Sequence, residues 1–152
     1  ENQGFLPIVS NFNGERLGIA SLALAASKVC LEEAAQWAEE RKTFGKPLAK
    51  HQVIRHKFAE MYKRINATQA YRDICAWQQE QGTLKVQDIS MLKVQATETM
   101  EFCAREAMQI LGGIGYMRES RTERLYREVR VLAIGGGSEE IMRDLTARQL
   151  GL

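Results

Sequence analysis

The chain has 152 residues, enough for one domain with its own core; 45% of the residues are hydrophobic and 26% are charged. Its formal net charge of +2 is too small to indicate a nucleic-acid-binding protein, and no apolar run approaches the roughly 18 residues of a membrane span. The cysteines are few, odd in number and far apart, which predicts reduced, buried thiols of an intracellular protein at Cys30, Cys75 and Cys103.

The chain begins with a short apolar piece that looks like a strand without a partner in this sequence. We therefore expect residues 1–12 to be the tail of a preceding β domain, and residues 13–152 to form a helical domain. The first helix is predicted from about residue 13 to residue 41, with Asn13 as a plausible N-terminal cap. Its apolar residues recur every seven positions at Leu17, Leu24, Leu31 and Ala38.

Further amphipathic patterns follow, separated by glycine-containing turns. Apolar residues at three- and four-residue steps predict a second helix at about residues 48–81 and a third at 86–111. A short charged helix is expected around residues 120–130, followed by a last helix whose Ile141 and Leu145 face inward. Short links between long amphipathic helices predict an all-α, antiparallel four-helix bundle.

Five arginines recur at a step of three residues, which rotates them around a helix rather than aligning them on one face. Interleaved glutamates favour a solvated, salt-bridged surface over a nucleic-acid patch. The arginines are at positions 118, 121, 124, 127 and 130, and the glutamates at 119, 123 and 128. His51 and His56 point in different directions on one helix, so no metal site is predicted.

Two turn segments carry polar groups that suit a binding site. In ERKTFGKPLAKHQ, Arg41, Thr43 and Gln52 surround an aromatic residue, Phe44. The alternative is that Arg41 caps the helix and Phe44 packs inward. In MQILGGIGYMRES, Gln109 precedes a glycine cluster that, read alone, is a helix end and a tight turn.

A third segment, AIGGGSEEIMRDL, has a glycine run directly before a helix, where backbone can approach a phosphate-bearing ligand. Ser138 has the residue type of an N-terminal cap, while Glu139 and Glu140 suit the positive end of the helix dipole. Those two carboxylates would oppose a phosphate, which weakens the interpretation as a simple anion-binding loop.

Taken together, RKTFGKPLAKHQ, AMQILGGIGY, the arginine-rich helix and IGGGSEEIMR closely resemble, in order and spacing, the C-terminal helical domain of acyl-CoA dehydrogenases. The resemblance covers about residue 13 to the end. It implies a bundle that assembles into dimers or tetramers, with FAD lying across a subunit interface. An N-terminal helical domain and a middle β domain would precede the chain, so the chain alone is expected to be inactive.

The resemblance also implies a set of site residues. Arg41 matches an arginine that contacts the pyrophosphate of a neighbouring subunit's cofactor, for which a bidentate guanidinium is suited. The other matched cofactor positions are Thr43, Phe44, Gln52, Gln109, Gly113, Ser138 and Glu140. The family often has glutamine where this chain has Glu140. The positions expected to lie beside the substrate are Arg16, Gly135, Gly136 and Gly137.

In the family reaction a carboxylate removes a proton next to the thioester, and a hydride passes to the flavin, giving a trans-2-enoyl-CoA. Many members carry this base in a Glu-Gly-Thr segment, where this chain has Gly136. Branches acting on isovaleryl-CoA and on long chains carry it in a Glu-Arg-Leu motif on the first long helix. The motif is present here as Glu15-Arg16-Leu17, so Glu15 is the predicted base. The alternative is a first-turn acid that stabilises the helix dipole by about 0.3–1 kcal/mol.

The resemblance implies an acyl-CoA substrate with a long or branched chain, and an electron-transferring flavoprotein as acceptor. Two alternatives remain open: an oxidase-like flavoprotein, and a helical interaction module without catalysis. We expect the protein in the cytoplasm, or in the mitochondrial matrix of a eukaryote.

Overall fold

The computed structural model describes residues 5–152, with side chains from residue 11 onward. The described part is helical apart from one small hairpin and the connecting turns. In chain order its elements are α1 (Phe5–Glu40), β1 (Lys42–Thr43), β2 (Lys46–Pro47), a 3-10 helix (Leu48–Lys50), α2 (Gln52–Glu80), α3 (Val86–Leu111), α4 (Gly113–Tyr116), α5 (Arg121–Ile134) and α6 (Glu139–Gln149).

The first helix begins earlier than the sequence predicts. α1 already includes Phe5, so the apolar piece at residues 5–10 is helical rather than strand-like, and Asn13 is an interior residue instead of a cap. Pro7 is tolerated because it lies in the first turn, where a backbone N–H has no intrahelical partner. Residues 1–4 lie outside the described part, and the assignment of residues 1–12 to a preceding domain stays a prediction.

The bundle is organised around α3, which packs against α1, α2, α5 and α6. The interface between α1 and α3 is rich in small buried residues, which lets the two helix backbones approach closely. These residues are Ala20, Ala23, Ala34 and Ala38 on α1, and Ala96, Ala104 and Ala107 on α3. The predicted all-α bundle is thereby confirmed, and α3 has the bounds that its periodicity predicts.

The last helix starts where its cap predicts but turns a different face inward. The Ser138 hydroxyl accepts a hydrogen bond from the Ile141 N–H at the N-terminus of α6. Ile141 is 59% exposed, so the expectation that it faces the core is wrong. The buried residues of α6 are instead Met142 and Thr146, which lie one turn apart on one face.

The three cysteines are free and buried, as predicted. Burial raises the pKa of the Cys30 and Cys103 thiols to about 12, and that of Cys75 to about 11. Arginines of the predicted charged stripe pair with glutamates, which confirms the salt-bridged surface. The pairs are Arg127 with Glu123, Arg124 with Glu128, and Arg130 with Glu101. Within residues 5–152, no helix combines the length and apolarity needed to cross a membrane.

Candidate functional site

The predicted site residues fall into two clusters that lie far apart along α1. One cluster joins Glu15 and Arg16 to the α5–α6 connection, and the other joins Arg41 and the hairpin to the end of α3. At about 1.5 Å per residue, the helix between Arg16 and Arg41 covers roughly 37 Å. The groups of the two clusters therefore lie far apart within one chain.

The hairpin after α1 is a feature that the sequence analysis treats only as a turn. Lys42 pairs with Pro47 and Thr43 with Lys46 across a two-residue connection. Its two residues, Phe44 and Gly45, have φ angles of 51° and 78°, as a type I′ hairpin turn requires. A positive φ is uncommon for an aromatic residue, so the turn holds Phe44 in an unusual backbone conformation.

The Phe44 side chain projects into solvent with 97% of its surface exposed, so the alternative in which it packs inward is wrong. Its ring meets the His51 ring edge-on, with 6.3 Å between the ring centroids. His51 also fixes the neighbouring hydroxyl, since its Nε2 lies 3.2 Å from Thr43 Oγ1. Phe44 is thus an exposed aromatic residue at the tip of a hairpin that His51 contacts.

A groove of about 490 Å³ lies between the hairpin and the α3–α4 junction, and we call it the hairpin groove. It brings together three predicted cofactor residues, Arg41, Thr43 and Gly113. Its remaining lining is mainly apolar: Trp37, Leu48, Ile110, Leu111, Gly112, Ile114 and Met117. Gln109 and Gln52 are exposed and lie close in sequence to residues that line the groove. Gln109 is near the end of α3, and Gln52 begins α2.

The donor set of the hairpin groove suits a phosphate-bearing ligand. The Arg41 side chain is exposed and forms no ion pair with any side chain among residues 11–152. Its contact with the end of α1 is a backbone one, from Arg41 N–H to the Trp37 carbonyl at 2.9 Å. A Cβ at Gly113 would meet no atom within 4 Å, so a ligand can approach this backbone closely.

The second cluster is built on the glycine loop, residues 135–137. Gly136 and Gly137 have φ angles of 69° and 110°, which side-chain-bearing residues rarely adopt. A Cβ at Gly136 would lie 2.9 Å from Cδ1 of Ile19, and one at Gly137 would lie 2.5 Å from Cε of Met142. The backbone conformation therefore favours glycine at both positions, and a side chain would also have to displace the ends of the Ile19 and Met142 side chains.

Arg16 connects α1 to this loop. Its side chain is buried, and its Nε donates a hydrogen bond to the Gly136 carbonyl at 3.0 Å while Nη1 donates to Asn13 Oδ1 at 3.1 Å. Burial lowers the pKa of Arg16, an effect that Glu15 partly offsets. Arg16, predicted to lie beside the substrate, thus directs its guanidinium at the loop. Glu15, one residue earlier, is exposed, and its Oε1 lies 3.4 Å from Asn11 Nδ2.

Sequence reasoning missed Lys93, which is fully buried on α3. Its Nζ donates to the Gly137 carbonyl at 2.8 Å and also to the Ala133 carbonyl. Burial lowers the pKa of Lys93. A signal was present, because Lys93 lies four residues after Ile89 and three before Ala96, on the apolar stripe of α3, where a lysine is unexpected.

The start of α6 carries two glutamates with different environments. Glu139 accepts a hydrogen bond from Thr97 Oγ1 at 3.2 Å, so it is tied to α3. Glu140 is exposed, and hydrogen bonds from its own backbone N–H and from Ser138 lower its pKa. Across the described residues, no group of three or more histidine, cysteine or acidic side chains is placed to hold a metal ion.

Comparison with known proteins identifies the family of this chain. The family model described as "Acyl-CoA dehydrogenase, C-terminal domain" matches residues 2–151. The mitochondrial long-chain specific acyl-CoA dehydrogenase of Sus scrofa is 39% identical over 150 residues, which are 99% of this chain and 35% of that protein.

Two solved structures share the fold over nearly the whole chain. A probable acyl-CoA dehydrogenase from Mycobacterium abscessus has a TM-score of 0.96 and 45% identity, covering 99% of this chain and 40% of its own. Butyryl-CoA dehydrogenase from Megasphaera elsdenii has a TM-score of 0.97 and 30% identity, covering 100% and 40%.

The chain spans only 35–37% of the length of the first curated relatives that it matches. Within that span, the family match and the shared fold both run through the helical bundle, the hairpin and the glycine loop. The chain belongs to the acyl-CoA dehydrogenase family and corresponds to its C-terminal domain.

Proposed function

We propose that this chain works as part of an FAD-dependent acyl-CoA dehydrogenase that converts an acyl-CoA to a trans-2-enoyl-CoA, with Glu15 as the base. The observation that carries the proposal is the contact between Arg16 and the Gly136 carbonyl. Because Glu15 directly precedes Arg16, this contact supports a position for Glu15 close to the loop on which many family members carry the base. Gly136 leaves the loop position without a carboxylate, and Glu15 supplies one from α1.

The role of Glu15 is to accept the proton from the carbon next to the thioester carbonyl. FAD, when bound, takes up the hydride that leaves the adjacent carbon. The exposure of Glu15 supports this role, because the carboxylate is open to a substrate supplied from outside the described residues. Arg16, the next residue, holds the glycine loop against α1 by its hydrogen bond to the Gly136 carbonyl.

The hairpin groove would hold the dinucleotide. Arg41 would pair with the pyrophosphate, Thr43 would donate its hydroxyl, and Gly113 would admit the adenosine side. Phe44 would contact the flavin from the tip of the hairpin, and its exposure and unusual backbone conformation support a role outside its own core. Gln52 and Gln109 would add contacts beside this groove, while Ser138 and Glu140 would contact a cofactor at the glycine loop.

The separation of the two clusters supports a homo-oligomer. Arg41 lies roughly 37 Å along α1 from Arg16, by the rise of about 1.5 Å per residue. A chain would therefore use its hairpin groove for a neighbouring subunit's cofactor and its glycine loop for its own. A dimer or tetramer in which the hairpin groove of one subunit meets the glycine loop of another would satisfy this requirement.

The substrate class and acceptor complete the proposal. The Glu-Arg-Leu motif at residues 15–17 favours a long or branched acyl chain, because family branches that carry the base in this motif act on such chains. An electron-transferring flavoprotein is the proposed acceptor. An oxidase would instead consume oxygen, so oxygen uptake separates the two reactions. A module without catalysis would bind no flavin, and its Arg41, Phe44 and Gln109 would have no shared purpose.

The test uses the complete polypeptide that contains this chain, purified with its flavin and mixed anaerobically with short, long and branched acyl-CoAs. We expect wild type to bleach the visible flavin absorption, and Glu15→Gln to bleach about 10²–10⁴-fold more slowly, the usual contribution of a general base. Glu32→Gln is the matched control, because Glu32 is an exposed acid on the same helix. Near-normal bleaching by Glu15→Gln would exclude Glu15, and a protein without flavin would favour the non-catalytic module.

A further inference from the structure

Two buried cations from different helices converge on the connection between α5 and α6. Lys93 of α3 donates to the carbonyls of Ala133 and Gly137, and Arg16 of α1 donates to the carbonyl of Gly136. The end of α5 and two residues of the glycine loop are thus held by charged donors. The glycines have no side chains, so the loop can be anchored only through its backbone, here through the Gly136 and Gly137 carbonyls.

A fully buried lysine is unusual unless a carboxylate pairs with it. No acidic side chain within residues 11–152 lies within ion-pair distance of Lys93 Nζ, although Glu139 and Glu140 act on it electrostatically from further away. Its compensation comes instead from the Ala133 carbonyl at the C-terminus of α5, where the helix dipole is negative, and from the Gly137 carbonyl of the loop. An apolar side chain would fill the same volume without the cost of desolvating a charge.

The placement of Lys93 therefore has a purpose beyond filling the core. The loop has two consecutive residues with positive φ, which glycine adopts easily but also leaves easily. Tying Gly137 to α3 and Gly136 to α1 restricts the loop to one position. In that position the Gly136 carbonyl accepts a hydrogen bond from Arg16, the residue that follows Glu15 in the Glu-Arg-Leu motif.

We propose that Lys93 is a positioning residue that fixes the glycine loop against α1, and so sets where the substrate lies relative to Glu15. This inference rests on the proposed function for its link to catalysis. The anchoring itself is a property of this chain and can be measured without substrate or cofactor. Lys93 acts through the loop backbone and does not touch the reacting atoms.

The first measurement is hydrogen–deuterium exchange in the complete polypeptide, with its flavin removed, over residues 133–141. We expect Lys93→Met, which keeps the length but loses the charge and donors, to speed exchange there about tenfold or more, the scale of lost charge-assisted hydrogen bonds. Lys57→Met is the control, because it removes a part-buried ion pair with Glu106 between α2 and α3. The control should leave exchange in this segment unchanged.

The second measurement is anaerobic flavin reduction by acyl-CoA. We expect Lys93→Met to slow the rate at saturating substrate about tenfold while the substrate concentration for half-maximal rate changes less than about threefold. Lys93→Arg, which keeps charge and donors, should recover much of that rate. If Lys93 were merely structural, Lys93→Met and Lys57→Met would both lower thermal stability. Their rates of flavin reduction would then be similar.

The outcomes separate the inference from the proposed function. Unchanged exchange at residues 133–141 in Lys93→Met would overturn the anchoring, and faster exchange with an unchanged reduction rate would overturn the positioning role. If Lys93→Met does not fold, Lys93→Gln provides the same comparison with a shorter, neutral donor, read by the same criteria. Full activity of Glu15→Gln, in contrast, would exclude the assigned base and leave the exchange result standing.

Discussion

At the scale of single residues, Gly136 combines a backbone requirement with a packing one. Its φ of 69° disfavours any side chain, and a Cβ there would lie 2.9 Å from Cδ1 of Ile19. From the sequence, this glycine is expected to occupy a position from which a catalytic carboxylate is missing. The structure adds that the loop and α1 approach each other too closely for a side chain without a shift of Ile19.

We expect Gly136→Ala to destabilise the folded protein by about 1–3 kcal/mol, because an unfavourable backbone conformation adds to overpacking against Ile19. Urea unfolding followed by circular dichroism measures this change. Gly14→Ala is the control, since a Cβ there meets no atom within 4 Å and alanine favours the helix. Equal stability of Gly136→Ala and wild type would contradict the packing described here.

Arg16 and Lys93 illustrate what a residue type alone does and does not reveal. The Glu-Arg-Leu motif singles out Arg16, but its partner, the Gly136 carbonyl, is 120 positions away. Lys93 interrupts an apolar stripe, which is a usable signal, yet its acceptors depend on where α5 ends. The residue types show from the sequence that both positions are unusual. Which groups the two side chains contact depends on how distant parts of the chain pack together.

At the scale of elements, α5 is oriented by a residue of another helix. The Glu33 carboxylate of α1 accepts hydrogen bonds from the Arg121 N–H at 3.1 Å, the Thr122 N–H at 2.8 Å and the Thr122 hydroxyl at 2.6 Å. These N–H groups belong to the first turn of α5, which has no intrahelical acceptors for them. Ser120 caps the same end by accepting from the Glu123 N–H.

We expect Glu33→Ala to cost about 1–3 kcal/mol of unfolding free energy, because it leaves first-turn N–H groups of α5 without an anionic acceptor. Chemical denaturation monitored by circular dichroism provides the value. Glu32→Ala, at the exposed neighbouring position, should change stability by less than about 0.5 kcal/mol. A loss no larger than that of the control would show that Glu33 contributes nothing to the cap.

The elements differ in how well the sequence predicts them. The bounds of α3 follow from a 3.6-residue apolar pattern that ends at Gly112. The cap of α6 at Ser138 is predicted correctly because capping depends on residues that are close in sequence. The start of α1 is predicted too late because Asn13 has the residue type of a cap but lies within a helix that continues upstream. The hairpin is missed because its strands have only two residues each.

At the scale of the whole molecule, the two clusters that lie far apart along α1 bear on how the bundle would assemble with other subunits. Arg41 is exposed in the hairpin groove without an ion-pair partner among the described side chains, and Phe44 is 97% exposed beside it. A monomer leaves both groups in solvent. A cofactor contributed by a neighbouring subunit would give both of them partners.

We expect Arg41→Met in the complete polypeptide to weaken FAD retention about 10- to 150-fold, the equivalent of losing a charge-assisted interaction of about 1.5–3 kcal/mol. The ratio of visible to ultraviolet absorbance after gel filtration reports bound flavin, and far-ultraviolet circular dichroism should not change. Arg148→Met is the control, because Arg148 has only an exposed pair with Asp144. If Arg41→Met retained as much flavin as wild type, the proposal that the hairpin groove binds the cofactor would be contradicted.

The sequence by itself determines the features that depend on near neighbours along the chain: the helical periodicity, the cap at Ser138, and the alternating charges of α5 that pair as Arg127 with Glu123. Only the tertiary structure decides that Arg16 and Lys93 hold the glycine loop and that Ile19 fills the space beside Gly136. The physical reason is distance along the chain: these contacts join helices whose packing is set by the whole core, and no local pattern encodes them.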